Sequence, residues 1–83
     1  MAHLKLYVKR TCPWCVQAQE WLDTRGVPYE LADVLADPAA YQSMINISGQ
    51  RYTPTLVIDD THMLADFGPE QLPEFLKMHG LAP

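Results

Sequence analysis

A mixed four-stranded sheet flanked by helices, in the order β-α-β-α-β-β-α, is the α/β fold class that this sequence predicts. Three observations predict it. The chain has 83 residues, room for one compact core that every element has to share. Each of the first two apolar, strand-like runs is followed by a segment whose apolar residues recur at helical spacing. The last two runs are separated only by Asp59-Asp60-Thr61, a compact polar break that suits a hairpin. Strands joined through helices early and by a hairpin late call for a sheet with both parallel and antiparallel neighbours. We expect residues 1–83 to form one domain, with no repeat, low-complexity tract or linker.

The first strand is expected at residues 4–8, LKLYV, which alternates once and then turns continuously apolar, as a strand buried on both faces does. From Pro13 to Arg25 the apolar residues Cys15, Ala18 and Leu22 recur at spacings of three and four, and Gly26 follows where helices commonly stop. VPYELADV, residues 27–34, reads as the second strand. Asp37-Pro38 then supplies an N-cap side chain and a proline for the first helical turn. That second helix should turn Ala40, Met44, Ile45 and Ile47 to the core and end at Gly49. QRYTP connects it to a third strand, TLVID, and HMLADF returns as the fourth. Gly68-Pro69 opens a last helix with Leu72, Phe75, Leu76 and Met78 on its buried side. Pro73 has no N–H to give a helix interior, so the regular part should begin near it or the helix should kink.

Composition excludes several function classes. The 48% apolar and 19% charged content is that of a globular protein, and no apolar run approaches the ~18 residues that span a bilayer. The N-terminal MAHLKLYVKR lacks an unbroken apolar stretch, so it does not read as a secretory signal, and a cytoplasmic location is expected. Net charge is −4, and the six Lys and Arg residues are scattered, so no basic stripe offers itself to nucleic acid. No membrane partner is expected, and the chain is expected to be a monomer.

Both cysteines, Cys12 and Cys15, fall in KRTCPWCVQAQEWL, between the first strand and the first helix. Cys-x-x-Cys in that position is the sequence sign of a thioredoxin-like redox pair. The physics agrees. Cys12 would sit where free N–H groups and the helix macrodipole favour negative charge on its sulfur. Cys15, one turn on and facing the same side, would be covered by the core and stay a thiol until Cys12 is engaged. Pro13 suits the first turn, and Trp14 should lie exposed beside the sulfur, where it can pack on a substrate. A zinc site would need two further ligands, and His3, His62 and His79 stand in no tight spacing with the cysteines. An iron–sulfur cluster would need outside thiols to complete its ligation. An inert buried pair is the remaining alternative. We expect no metal and no permanently bound cofactor.

With these residues in place the chain resembles a glutaredoxin over essentially its whole length. The family's Cys-Pro-Tyr-Cys is here Cys-Pro-Trp-Cys, its lysine three residues before the first cysteine matches Lys9, and its Thr-Val-Pro matches Tyr52-Thr53-Pro54. The resemblance implies a thioredoxin-like (glutaredoxin) fold, with Pro54 cis and lying against the cysteines. It implies glutathione as co-substrate, the backbone of Thr53 pairing with the cysteine part of glutathione. Lys9, helped by Gln50 or Arg51, would meet the glycine carboxylate, and Asp66 would hold the γ-glutamyl ammonium. The activity implied is glutathione-linked reduction of protein disulfides or glutathione mixed disulfides, with Cys12 as nucleophile and Cys15 as resolving thiol.

The sequence departs from the family after the fourth strand. Glutathione-using members carry Gly-Gly there, followed by Cys, Ser or Thr and then Asp; this chain has Leu64-Ala65, with Asp66 one place early. Its Asp66-Phe67-Gly68-Pro69 is similar instead to the Phe-x-Pro of NrdH-redoxins, which thioredoxin reductase reduces. An NrdH-like electron donor is therefore one alternative. A non-catalytic module that binds a cluster or a partner protein is another.

Overall fold

The computed structural model describes residues 3–81. Four strands, β1 (Leu4–Val8), β2 (Glu30–Asp33), β3 (Thr55–Ile58) and β4 (His62–Ala65), form one sheet in the order β2-β1-β3-β4. Strand β1 runs parallel to β2 and antiparallel to β3, and β3 is antiparallel to β4. Three helices cover the sheet: α1 (Pro13–Thr24), α2 (Pro38–Ser48) and α3 (Leu72–Met78), the last entered through a 3₁₀ turn at Pro69–Gln71. The predicted element order and mixed sheet are those observed.

The two-residue period of a strand divides the core into two layers. Leu4, Leu6, Val8, Leu56 and Ile58 face Cys15, Ala18 and Leu22 of α1 and Leu72, Phe75 and Leu76 of α3. Tyr7 and Val57 face the other way, onto Val34 and onto Ala40 and Met44 of α2. Burying a side chain such as Leu6 contributes about 1.5–3 kcal/mol, so both central strands are held from both faces. The placement of α1 and α3 on one face and α2 on the other leaves one end of the sheet open. There β1 and β4 finish and β3 begins.

Local signals in the sequence set most boundaries. Asp37 Oδ1 accepts from the N–H groups of Ala39 and Ala40 at 3.1 and 3.4 Å, capping α2, and Pro38 occupies its first turn. Gly49 closes the helix at φ 71°, a left-handed conformation that side chains disfavour, and donates to Ile45 O at 2.8 Å. Asp59 and Asp60, both at positive φ, make the hairpin turn between β3 and β4, closed by Thr61 N–H on Ile58 O at 3.1 Å.

Several expectations are corrected. The second strand is four residues rather than eight, because Val27 N–H is committed to Leu22 O at 3.0 Å at the end of α1 and Pro28 has none to give. The fourth strand ends at Ala65; Asp66 turns to φ 51° and Phe67 drops into the core. The last helix does begin beside Pro73, as one of the two expectations had it: the 3₁₀ turn at Pro69–Gln71 precedes α3 and leaves Pro73 in its first turn, where its missing N–H is not needed. Met78 is not on the buried side: it is 72% exposed at the last turn of α3, where it borders the open hollow between α3 and β4. Ala40 and Met44 carry the contact of α2 with the sheet and Ile47 packs half-buried against them, as expected, whereas Ile45 is half-buried and outside that cluster.

Candidate active site

Cys12 is the N-cap residue of α1, extended at φ −92° and ψ 112°. Its Sγ accepts the N–H of Cys15 at 3.2 Å, and its own N–H is held by Lys9 O at 3.1 Å. A sulfur in this place serves as the acceptor that a Ser or Asp usually provides, and ionising it strengthens the bond. Cys12 is half-buried and reachable, whereas Cys15 is fully buried among the residues of α1, β1 and β3. Burial pushes the Cys15 thiol up to about 11, reinforced by its hydrogen bond to Cys12. Both are free thiols. One sulfur is thus presented and the other held back in protonated form.

The connector between α2 and β3 meets this loop at the open end of the sheet. The Thr53–Pro54 peptide bond is cis and Pro54 is buried. Thr53 O stands 3.8 Å from Cys12 Sγ, as a weak S–H acceptor. Among the described residues, nothing takes up the N–H of Thr53. A half-buried residue with a free N–H beside a nucleophile is an edge on which an extended peptide can pair.

Gln50 lies elsewhere than expected. Its Nε2 donates to Ser48 Oγ at 2.7 Å and to Thr55 Oγ1 at 3.0 Å, and its Oε1 accepts Tyr52 N–H at 2.6 Å. The amide is spent inside the connector, so its use as a helper for a ligand carboxylate is corrected to a structural one. Arg51 is exposed, with no ion pair among the described residues. Lys9 is half-buried, its Nζ 5.9 Å from the centre of the Tyr41 ring on α2. A cation held over an aromatic face keeps a fixed post at the α2 side of the loop.

On the α3 side, Trp14, 53% exposed, borders a groove of about 320 Å³ with Asp66, Phe67, Gly68, Glu70 and Gln71. Asp66 N–H is bound to Pro54 O at 3.0 Å, and Gly68 N–H to Gln71 Oε1 at 3.1 Å. The Glu70 carboxylate lies directly over Gly68, where any added Cβ would collide with it. Neither Asp66 nor Glu70 has a cationic partner among the described residues. The groove therefore shows two carboxylates and few free donors. A larger hollow of about 580 Å³, between β4 and α3, is lined by His62, Met63, Phe75 and His79 but by no thiol. Neither hollow is lined by a thiol, but the smaller one is bordered by Trp14, which lies between the two cysteines in the chain.

The expected residues are therefore divided. Cys12, Pro13, Cys15, Thr53 and Pro54 converge; Lys9 belongs to the α2 side of them, Trp14 and Asp66 to the α3 side, and Arg51 is exposed on the connector. Sequence reasoning missed Thr55, Ser48, Glu70 and Gln71. Gln71 had a signal, standing three residues after Gly68 at capping-box spacing. Thr55 had one too, as the polar member of an otherwise apolar run.

Comparison with known proteins follows the same lines. A glutaredoxin family model matches residues 4–63. The chain is 33% identical over 63 residues to glutaredoxin 3 of Escherichia coli, covering 76% of each chain. Among solved structures it is similar to the thioredoxin-like protein BC3987, with 36% identity and a TM-score of 0.79 over 88% of this chain and 99% of the other. It also shares its fold with NrdH-redoxin from Escherichia coli, at TM-score 0.72 and 21% identity over 98% of this chain and 96% of the other.

Proposed function

The chain belongs to the glutaredoxin family and is a thiol–disulfide redox protein, and from that premise we propose that it reduces protein disulfides by a dithiol mechanism. The observation that carries the reading is the pairing of an accessible Cys12 with a fully buried Cys15 on one turn of α1, facing Thr53. The Cys12 thiolate attacks one sulfur of the target disulfide, forming a mixed disulfide; the other target sulfur leaves as a thiolate and takes up a proton. Cys15 then gives up its proton and attacks Cys12 Sγ. The Cys12–Cys15 disulfide forms, the second target thiol departs, and two electrons have passed to the target. A glutathione mixed disulfide needs Cys12 alone, with a second glutathione as resolving thiol.

In this reading Pro13, Trp14 and Pro54 shape the cleft, and the backbone of Thr53 pairs with the segment around the target cysteine. Lys9 and Arg51 meet a carboxylate on one side, and Asp66 meets an ammonium on the other. Electrons move between sulfurs, so no resident cofactor is required. Cys12 is the accessible thiol, so an iron–sulfur cluster would have to draw its remaining ligands from outside this chain. We place the protein in the cytoplasm as a monomer; no helix among the described residues is long and apolar enough to cross a membrane.

Two reductants can return the disulfide to the dithiol. Lys9 and the free edge at Thr53 favour glutathione. The groove at Trp14 favours a flavoprotein of the thioredoxin reductase type, because the N–H groups of Asp66 and Gly68 are already used and Glu70 opposes the γ-glutamyl carboxylate. We take the second as the main reductant. The test supplies a protein disulfide and NADPH with either glutathione and glutathione reductase, or thioredoxin reductase. Faster NADPH oxidation with thioredoxin reductase is expected. Faster oxidation with glutathione reverses the choice, and no turnover with either overturns the proposal.

A further inference from the structure

We propose that Gln50 is a positioning residue that sets the substrate-pairing edge at Thr53, through a hydrogen-bonded clamp on Tyr52. The inference rests on the reading of Cys12 as nucleophile and of Thr53 as the edge on which a target pairs. Tyr52 is 61% exposed, and its side chain packs on little. Its backbone is nevertheless held at both ends: Gln50 Oε1 accepts its N–H at 2.6 Å, and its C=O accepts from Thr55 Oγ1 at 2.8 Å. Gln50 Nε2 links the two halves, donating to Thr55 Oγ1 at 3.0 Å and to Ser48 Oγ at 2.7 Å. Ser48 Oγ in turn donates to Met44 O at 2.6 Å, anchoring the clamp on α2.

Every polar atom of the clamp has a partner, and the chain of bonds ends on rigid elements at both sides. Thr55, in β3, is fully buried and is the buried polar side chain among the described residues. A buried hydroxyl in an apolar strand costs free energy unless it is bonded on site. Gln50 and Tyr52 supply those bonds. The residue so fixed immediately precedes Thr53, whose carbonyl faces Cys12 at 3.8 Å. An edge already ordered spares the target the entropy of ordering it, roughly tenfold in affinity for one residue's backbone.

The test compares Gln50→Met, which has similar length and no donors, Gln50→Glu, which keeps an acceptor but loses both donors, Thr55→Val and Thr55→Ser. Turnover is measured with a glutathione mixed disulfide and with a protein disulfide that carries no glutathione; iodoacetamide alkylation of Cys12 is followed alongside. Gln50→Met, Gln50→Glu and Thr55→Val should raise KM about tenfold for both substrates, with kcat and alkylation within about twofold. Thr55→Ser should restore the wild-type KM, and Gln50→Met with Thr55→Val should be no worse than either alone. A rise in KM confined to the glutathione substrate would mean that Gln50 touches the ligand, and would overturn the proposal; unchanged KM would as well. If the wild type turns over neither substrate, the oxidoreductase reading itself fails. Amide exchange in the wild type is a check that needs no variant: Tyr52 N–H should be protected despite its exposed side chain, and fast exchange counts against the clamp.

Discussion

The carbonyl oxygen of Thr53 stands 3.8 Å from the sulfur of Cys12, across 41 residues of sequence. One comes from the start of α1 and the other from the connector leading into β3. They meet because β1 and β3 are antiparallel neighbours, so the end of one and the beginning of the other share an edge of the sheet. In the proposed reading, a target that pairs with Thr53 brings its own sulfur to Cys12.

Division of labour between the two thiols predicts distinct losses. Cys12→Ser should abolish reduction of every disulfide. Cys15→Ser should keep deglutathionylation while losing reduction of protein disulfides, since no thiol then resolves the mixed intermediate. Parallel assays with a glutathionylated peptide and a disulfide-linked protein check this, and full turnover by Cys12→Ser would sink the mechanism.

Alkaline pH should destabilise the fold in two overlapping windows. The Cys15 thiol is pushed from near 9.0 up to about 11 by burial and its bond to Cys12. The Tyr29 hydroxyl is pushed from 10.0 up to about 12 by burial and by donating to the Asp23 carboxylate at 2.9 Å. In both cases the folded state holds its proton more tightly than the unfolded one. The stabilisation is therefore complete below the unfolded value and is lost as pH rises through the folded value. Melting temperature should be level below pH 9 and fall above it. Cys15→Ala should flatten the lower part of the decline and Tyr29→Phe the upper part; identical slopes in all three proteins would refute the assignment.

The carboxylates beside Trp14 should discriminate against anionic substrates. Glu70→Gln removes one of the two charges in the groove without touching the thiols. KM for a glutathionylated peptide should fall, by up to about fivefold at low salt, as the removal of an exposed charge repulsion allows. The difference should shrink at 0.5 M salt, with a Debye length of about 4 Å. A KM that rises in the variant would mean that Glu70 binds the substrate rather than repelling it.

Much of this was legible in the residues themselves. Asp37-Pro38, Gly49 and the Asp59-Asp60 turn are local devices, and each acts within a few residues of where it is read. The failures lie where a segment answers to something distant. Val27 and Phe67 look like strand residues, yet the first is used to finish α1 and the second fills a gap between α1 and α3. Gln50 is polar and follows a helix, which suits a ligand contact equally well; only the buried hydroxyl of Thr55, five residues on, turns it inward.

The sequence by itself determined the element order, the helix ends and the identity of the redox pair, because caps, turns and a Cys-x-x-Cys at a helix start are effects of near neighbours. Tertiary structure decided that Gln50 turns inward onto Thr55, that Phe67 leaves the fourth strand for the core, and that the groove beyond Trp14 carries Glu70 as well as Asp66. Those depend on which strand edges meet and which side chains fill the space between layers, and packing of that kind is set by the whole core at once.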